Sequence, residues 1–185
     1  MGGMDRFDVT LVEARRGDPE ALSELYRLLQ SPILRYLRAL EAREAEDIAS
    51  EAWLSVITNL DRFRGGESAL RAWAFTIARS RLMDYHRRRA RRGTVTTSPE
   101  ELSEHAETGN VEEEALAELS TEEALAQIAS LPRAQAEVVL LRVIGDLSVR
   151  DVATIMGKRP GTIRVLQHRA LRSLALRVSR LAVTE

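Results

Sequence analysis

Residues 148–174, "SVRDVATIMGKRPGTIRVLQHRALRSL", decide the fold, because two helical patterns flank a short turn in this stretch. Ser148 is followed three residues later by Asp151, which is the spacing of a capping box at a helix N-terminus. Gly157 is suited to ending that helix, and Pro160 is suited to the first position of the next one. The stretch therefore predicts a helix-turn-helix.

The second helix of this pair has one apolar face and one basic face. The apolar positions follow helical spacing and are Ile163, Leu166, Ala170, Leu171 and Leu174. The outward positions are Arg164, Val165, Gln167, His168, Arg169 and Arg172. No acidic residue occurs between residues 152 and 184, whereas seven lysines and arginines do. Such a helix suits the major groove of DNA, although a three-helix bundle with a solvated basic face would show the same pattern.

Upstream of this element, residues 8–92 read as a succession of helices. The composition favours helices over sheets, because Ala, Leu, Glu and Arg dominate and aromatic residues make up only 4% of the chain. Residues 79–92, "RSRLMDYHRRRARR", hold seven arginines and one aspartate, which is more than complementing a helix dipole calls for. We interpret this segment as a phosphate-binding surface. Trp73 shares helical spacing with Leu70 and Ile77, so we predict that it is a core residue rather than a stacking wedge.

The segment between the two helical blocks has the opposite charge. Residues 93–119 contain eight glutamates and no lysine or arginine, and their first half is rich in Thr, Ser, Gly and Pro. Such a composition is typical of a flexible linker. We therefore predict an all-α protein of two small domains, 1–92 and 120–185, joined by an acidic flexible linker, with the helix-turn-helix in the second domain.

Several classes of function are disfavoured by what the sequence lacks. It has no cysteine, so it offers no disulfide, thiolate metal site or cysteine nucleophile. We recognise no catalytic constellation, no metal site and no cofactor motif, since "RGG" at 64–66 is a turn and not a phosphate-binding loop. No apolar stretch approaches the length of a membrane span, and the N-terminus, "MGGMDRFDV", has no apolar core of a signal peptide. We expect a cytoplasmic protein that is not an enzyme.

Two long motifs resemble one known family. Residues 44–92, "EAEDIASEAWLSVITNLDRFRGGESALRAWAFTIARSRLMDYHRRRARR", are similar to region two of the extracytoplasmic-function type of bacterial sigma factor. Residues 131–174, "LPRAQAEVVLLRVIGDLSVRDVATIMGKRPGTIRVLQHRALRSL", resemble region four of the same family. The resemblance implies a subunit that binds core RNA polymerase and directs promoter recognition, promoter melting and transcription initiation.

For region two, the resemblance implies two binding surfaces. One docks on the clamp helices of the largest polymerase subunit, and its candidate residues are Asp47, Ile48, Glu51, Leu54, Asn59 and Phe63. The other captures the melted non-template strand of the minus-ten element, and its candidates are Arg64, Ser80, Arg81, Asp84, Arg87 and Arg88. Many relatives have asparagine where this chain has Ser80, so the base preference of the family is not carried over.

For region four, the resemblance implies that the helix-turn-helix reads the minus-thirty-five element as duplex DNA. The candidate residues are Arg159, Thr162, Arg164, Val165, His168 and Arg169. Many relatives read "TVKSRL" where this chain reads "TIRVLQ", so Leu166 stands where those relatives have an arginine. That arginine would pair with an acid on the preceding helix, and Asp151 is therefore left to find another partner or to serve only as a helix cap. The family also implies contact with the flap of the second-largest polymerase subunit, and an anti-sigma factor as a partner. The acidic linker either enters the polymerase cleft as a mimic of nucleic acid or only keeps the chain soluble.

Two other functions remain open at this point. An autonomous helix-turn-helix repressor would use the N-terminal block for oligomerisation or effector binding, and it would footprint an operator without polymerase. A nucleic-acid enzyme or its accessory domain would show nuclease or ligase activity. The acidic residues argue against a nucleic-acid enzyme, since they lie in the linker or on predicted solvated faces and do not have the spacing of a metal site.

Overall fold

The computed structural model describes residues 6–92 and 123–181, and every regular element within these ranges is a helix. The N-terminal block contains α1 (Arg6–Arg15), α2 (Pro19–Leu40), α3 (Ala45–Asn59), a 3-10 turn (Leu60–Arg62) and α4 (Glu67–Arg92). The C-terminal block contains α5 (123–129), α6 (Arg133–Val143), α7 (Val149–Met156) and α8 (Pro160–Leu181). The predicted all-α class is confirmed, whereas the acidic linker predicted at 93–119 lies outside the described residues.

In the N-terminal block, α2 and α3 pack against α4, and α1 packs on α2. Helix α2 begins as the sequence predicts, because the Asp18 side chain accepts a hydrogen bond from the Ala21 backbone N–H at 2.8 Å and Pro19 occupies the first turn. The centre of the core is formed by Leu25, Leu70 and Phe75, which are at most 1% exposed. The resulting bundle holds α3 and α4 side by side, and their outer faces carry the predicted binding residues.

In the C-terminal block, α7, the turn at Gly157 and α8 form the predicted helix-turn-helix, and α6 packs on both helices. Ser148 Oγ accepts a hydrogen bond from the Asp151 N–H at 3.1 Å, and an Asp151 carboxylate oxygen accepts one from the Ser148 N–H at 3.1 Å. Gly157 adopts φ +61°, the left-handed conformation that glycine tolerates best. These contacts confirm that the local sequence sets both ends of α7.

One side chain of α8 departs from the predicted apolar face. Ile163 and Ala170 are fully buried, and Leu166 packs against the core, as the helical spacing predicts. Leu171, however, is 49% exposed, so its assignment to the inward face is wrong. Leu171 lies about 80° around the helix axis from Ile163, at the edge of the side on which α6 and α7 pack.

The two blocks pack against each other. Helix α4 contacts α7, and α2 contacts α6. The Phe75 ring of α4 lies so close to the backbone of Gly145 that a Cβ at this glycine would stand 3.2 Å from Phe75 Cζ. Buried side chains of both blocks consequently form one continuous hydrophobic cluster.

Candidate nucleic-acid and polymerase interfaces

The N-terminal half of α8 presents its polar face to solvent. All six residues predicted to face the minus-thirty-five element are exposed, namely Arg159, Thr162, Arg164, Val165, His168 and Arg169. Val165 is an apolar side chain that is 50% exposed in the middle of this basic surface. An exposed valine can contact a thymine methyl group, while arginines can pair with guanine in two hydrogen bonds. The face is therefore free to enter a major groove.

Leucine occupies position 166, where many relatives have arginine, and the structure explains the difference. Leu166 packs against the hydrophobic core of the helix-turn-helix, so no guanidinium is needed at this position. The carboxylate of Asp151 is used in the capping box instead of in an ion pair with α8. The orientation of α7 relative to α8 thus rests on apolar packing and on the two helix caps.

A cavity of about 420 Å³ opens where the end of α3, the following loop and the middle of α4 meet. Its size is within the range of small-molecule sites. The lining mixes aromatic and apolar walls with short polar groups: Ser55, Asn59, Arg62, Phe63, Trp73, Ile77, Ser80 and Arg81. Flat apolar walls and polar edges together match the chemistry of an unstacked nucleobase.

Two stacked rings form one wall of this cavity. Phe63 and Trp73 lie with their ring centroids 5.2 Å apart and their planes inclined by 25°. The loop that carries Phe63 is fixed to α1, because Arg15 donates hydrogen bonds to the backbone oxygens of Leu60 at 3.2 Å and of Phe63 at 2.5 Å. Trp73 packs against the core, as predicted, and also lines the cavity, which the sequence analysis did not anticipate.

The polar rim of the cavity is ordered by short contacts. Arg81 donates a hydrogen bond to the Ser55 hydroxyl at 2.7 Å, and the Asn59 amide donates one to the Ser55 backbone oxygen at 2.9 Å. Ser80 is exposed beside them. Of the residues predicted for the minus-ten strand, Ser80 and Arg81 therefore lie at the cavity. Asn59 and Phe63, predicted to bind polymerase, also line it.

The loop before α4 supports the same surface. Arg64 donates hydrogen bonds to the backbone oxygens of Asp61 at 2.5 Å and of Phe63 at 2.7 Å, and its side chain remains at the protein surface. Gly65 adopts φ +141°, and a Cβ at this position would stand 2.8 Å from the Ala69 Cβ. A residue other than glycine would therefore strain the turn that leads into α4.

The basic end of α4 is partly neutralised by acidic neighbours. Asp84 forms an ion pair with Arg87, and Arg88 lies 3.7 Å from a carboxylate oxygen of Glu51 on α3. The hydrogen bond from Arg87 holds the pKa of Asp84 below its ordinary value. Arg87 and Arg88 nevertheless keep half or more of their side-chain surface exposed, at 67% and 50%. Both remain available to phosphate groups.

His86 lies on α4 near Glu41, the residue that follows α2. Its Nδ1 atom is 3.9 Å from the Glu41 carboxylate, and its buried Nε2 atom has no hydrogen-bond partner. Burial lowers the pKa of His86 below its ordinary value, and the nearby Arg133 and Arg89 act in the same direction, whereas Glu41 opposes them. The folded protein therefore favours the neutral imidazole.

The outer face of α3 is acidic with exposed apolar side chains. Asp47 and Glu51 are exposed, and Leu54 and Ile57 are exposed to 64% and 38%. Ile57 was not among the predicted polymerase-binding residues, but its position one turn after Leu54 extends the apolar part of the face. Adjacent exposed aliphatic side chains rimmed by charge are typical of a protein-binding surface.

Two of the predicted polymerase-binding residues do not belong to that face. Ile48 is 3% exposed and Phe63 is 7% exposed, so both side chains are part of the core. Ile48 follows Asp47 directly and therefore points about 100° away from it around the helix axis. Phe63 turns inward to stack on Trp73.

A buried ion pair that the sequence analysis missed joins the two blocks. Glu137 of α6 is 4% exposed, and its carboxylate accepts hydrogen bonds from Arg79 Nε at 2.6 Å and from the Tyr36 hydroxyl at 3.1 Å. Burial and the Glu137 carboxylate raise the pKa of Tyr36 well above its ordinary value. Arg79 is one of the seven arginines of residues 79–92 that the sequence predicts to bind phosphate, but the structure commits it to this internal contact.

Comparison with known proteins identifies the family. Residues 23–92 match sigma-70 region 2, and residues 121–174 match sigma-70 region 4. The chain is 34% identical over 180 residues to the ECF RNA polymerase sigma factor SigD of Mycobacterium tuberculosis, covering 92% of this chain and 82% of SigD. The chain belongs to the ECF sigma factors. As an alternative sigma factor, it directs promoter-specific initiation by core RNA polymerase.

Two solved structures share its fold. The sigma factor RpoE of Bartonella quintana, crystallised with the anti-sigma factor NepR, aligns with a TM-score of 0.63 and 26% identity, covering 82% of this chain and 92% of that one. CnrH, in complex with the cytosolic domain of CnrY, aligns with a TM-score of 0.62 and 18% identity, covering 95% and 99%. In this ECF sigma factor, region two contains the cavity and the acidic face of α3, and region four contains the exposed face of α8.

In the described parts of this sigma factor, no three His, Asp or Glu side chains are grouped closely enough to hold a metal ion. None of the helices described is both long and apolar enough to cross a membrane.

Proposed function

We propose that the cavity between α3 and α4 receives a base of the melted non-template strand at the minus-ten element. The observation that carries the proposal is the combination of the stacked Phe63–Trp73 wall with polar groups from Ser80 and Arg81 at the rim. The adjacent basic end of α4, with Arg87 and Arg88, would follow the phosphates of the same strand. Arg64 on the loop and Asp84 complete the proposed surface.

The exposed face of α8 is proposed to read the minus-thirty-five element in the major groove. Arg164, Val165, His168 and Arg169 would contact bases, and Arg159 and Thr162 would contact the DNA where the helix enters the groove. The support is that all six side chains are exposed. Because arginine in this position pairs best with guanine, we infer at least one G·C pair in the upstream element.

For core polymerase, we propose two docking surfaces. Asp47, Glu51, Leu54 and Ile57 on α3 would meet the clamp helices of the largest subunit, and this face combines acidic and apolar chemistry. Region four would meet the flap of the second-largest subunit. Within the complex, the chain would perform no covalent chemistry itself, and it would act in the cytoplasm.

An anti-sigma factor is proposed as a further partner. The support is that a structurally similar sigma factor, RpoE of Bartonella quintana, was crystallised with the anti-sigma factor NepR. Affinity purification of the tagged chain from its native cells, followed by addition of the recovered protein to in vitro transcription, tests this. A co-purifying protein that inhibits initiation is expected, and recovery of core polymerase alone would contradict it.

The central test compares promoter binding with and without core polymerase. Transcripts made in vitro by core enzyme plus this chain are sequenced to define a promoter, and that promoter is then used in gel shifts. We expect a specific complex only when core polymerase is present. Specific binding by the chain alone would favour an autonomous repressor, and cleavage or ligation of the probe would favour an enzyme.

A further inference from the structure

The inference concerns Arg15, the last residue of α1. Its Nε atom donates a hydrogen bond to the Leu60 backbone oxygen at 3.2 Å, and its Nη2 atom donates one to the Phe63 backbone oxygen at 2.5 Å. Leu60 begins the 3-10 turn after α3, and Phe63 lines the cavity. The match to sigma-70 region 2 begins at residue 23, after α1 has ended, so it does not include this arginine.

The geometry of the contact suits an arginine. Nε and Nη2 lie on the same edge of the planar guanidinium, and this edge bridges two carbonyl groups three positions apart. Carbonyl groups at the end of a helical segment lack partners within the segment and carry the negative end of its dipole, so a cation is favoured there. A lysine ammonium is a point charge and does not reproduce the two parallel bonds.

The base from which Arg15 reaches the loop is itself fixed. Leu11 and Ala14 of α1 are both 4% exposed and belong to the core. Gly17 follows at φ +84°, and its N–H donates to the Ala14 backbone oxygen at 3.0 Å, which ends α1 immediately after Arg15. The position of the guanidinium is therefore set by α1 and its turn, independently of the loop that it contacts.

The Phe63 backbone oxygen accepts a hydrogen bond from a second guanidinium. Arg64 Nη1 donates to it at 2.7 Å, in addition to its bond with the Asp61 backbone oxygen. A carbonyl oxygen has two lone pairs, so Arg15 and Arg64 together saturate it. Arg64 is also a residue of the proposed DNA surface, and it would have to leave this oxygen to meet a phosphate. Arg15 would then keep the Phe63 carbonyl bonded.

We propose that Arg15 is a positioning residue for capture of the melted strand. It holds the Phe63 backbone so that the Phe63 ring stays stacked on Trp73 while Arg64 is released to the DNA. Without Arg15, release of Arg64 would remove the remaining guanidinium from the Phe63 oxygen, so DNA binding would compete with order in the loop. This role rests on the proposed base-binding function of the cavity, and Arg15 acts on the base only through the loop.

Arg15→Met removes the charge and both donors and keeps most of the side-chain length. Loss of a hydrogen bond from a charged group typically changes an equilibrium by about tenfold to a hundredfold. Arg15 is half-buried, so water replaces part of what is lost, and we expect a decrease of about tenfold in the equilibrium constant for promoter melting. Affinity for core polymerase should be unchanged, because the exposed acidic and apolar residues of α3 lie on earlier turns of that helix.

The neighbouring arginine provides a matched control. Arg16 directly follows Arg15 and is exposed, so Arg16→Met removes the same charge without touching the loop. Permanganate reactivity of melted thymines, at saturating core polymerase and sigma factor, should fall in Arg15→Met and stay at the parental level in Arg16→Met. Arg15→Lys keeps the charge and should give an intermediate value. It also provides a test should the methionine variant not fold, as judged by urea unfolding.

The position of the loop is measurable without DNA. The chain has two tryptophans, so incorporation of fluorinated tryptophan gives two fluorine resonances. Trp73 stacks on Phe63, whereas Trp53 packs on Tyr26 at 5.1 Å. Arg15→Met should shift or broaden the Trp73 resonance and leave the Trp53 resonance unchanged, and Arg16→Met should alter neither. A general loss of stability would instead affect both resonances.

The two readouts together decide the proposal. Parental melting in both Arg15→Met and Arg15→Lys would overturn it, whether or not the Trp73 resonance shifts, and so would an equal loss of melting in Arg15→Met and Arg16→Met. Trp73→Ala separates this failure from failure of the cavity itself. If Trp73→Ala impairs melting and the Arg15 variants do not, the cavity holds a base without help from α1. If none of them impairs melting, the base-binding function fails and the role of Arg15 fails with it.

Discussion

Replacement of Trp73 by alanine separates a structural role of this residue from a role in holding a base. The side chain is half-buried, packs against the core and stacks on Phe63 at a centroid distance of 5.2 Å. A fully buried tryptophan costs 3–5 kcal/mol when truncated, so we expect the half-buried Trp73 to cost about 2–3 kcal/mol of folding stability. The proposed stack on an unpaired base would add a separate loss of about 1–3 kcal/mol in promoter melting, or roughly 5- to 150-fold.

The other tryptophan supplies a matched control. Trp53 on α3 is also half-buried, and it packs edge-to-face on Tyr26 at 5.1 Å, away from the cavity. Trp53→Ala should therefore destabilise the fold to a similar extent without affecting the base site. Urea unfolding measures stability, and permanganate reactivity of melted thymines measures the open complex at saturating sigma factor. If Trp73→Ala and Trp53→Ala melt the promoter equally well, the cavity does not hold a base and the reasoning fails.

The remaining predictions address the other surfaces. Arg164→Ala and Arg169→Ala should each weaken use of the upstream element by about 1–3 kcal/mol with an unchanged melting temperature; unaltered transcription in both variants would remove α8 from the groove. Asp47→Lys combined with Glu51→Lys should reduce affinity for core polymerase in a titration while helicity is kept, and full affinity would point to a different docking face. The lowered pKa of His86 means that, as pH falls, the unfolded chain takes up a proton on this residue before the folded protein does. The stability that the neutral His86 contributes should therefore be fully present above its ordinary pKa of 6.5 and should decline as pH falls towards the folded pKa. His86→Leu should flatten the dependence of the urea midpoint on pH between about 7.5 and 5.5, and a slope equal to that of the parent would contradict this origin.

Local rules predicted the helix-turn-helix well. The Ser148–Asp151 box, the left-handed Gly157 and Pro160 at the start of α8 each depend on neighbours within a few residues, so their geometry can be read from the sequence. The outward face of α8 was predicted for the same reason, because the inward positions repeat with helical spacing. The prediction that Leu171 is buried is wrong because helical spacing gives the direction of a side chain and does not show how far the neighbouring helices extend.

Contacts between distant parts of the chain were not predictable in this way. The arginines of residues 79–92 are alike in sequence, and only the packing of α6 against α2 and of α7 against α4 shows that Arg79 turns towards Glu137, 58 positions away. Phe63 lies in a loop where no periodicity indicates direction, so its burial against Trp73 depends on tertiary packing. Trp73 combines both roles, since a side chain can fill the core with one edge and line a cavity with the other.

Three consecutive residues on a single turn of α4 face three different surroundings. Arg79 reaches region four, Ser80 is exposed at the rim of the cavity, and Arg81 bonds to Ser55 of α3. Successive residues of a helix point about 100° apart, so this division follows directly from helical geometry. In the engineering of orthogonal transcription systems, replacing this whole turn with that of a related factor would therefore change three different contacts at once. Exchanging position 80 alone would change one polar group at the rim of the cavity, whereas exchanging the whole turn would also remove the contact of Arg79 with Glu137 in region four.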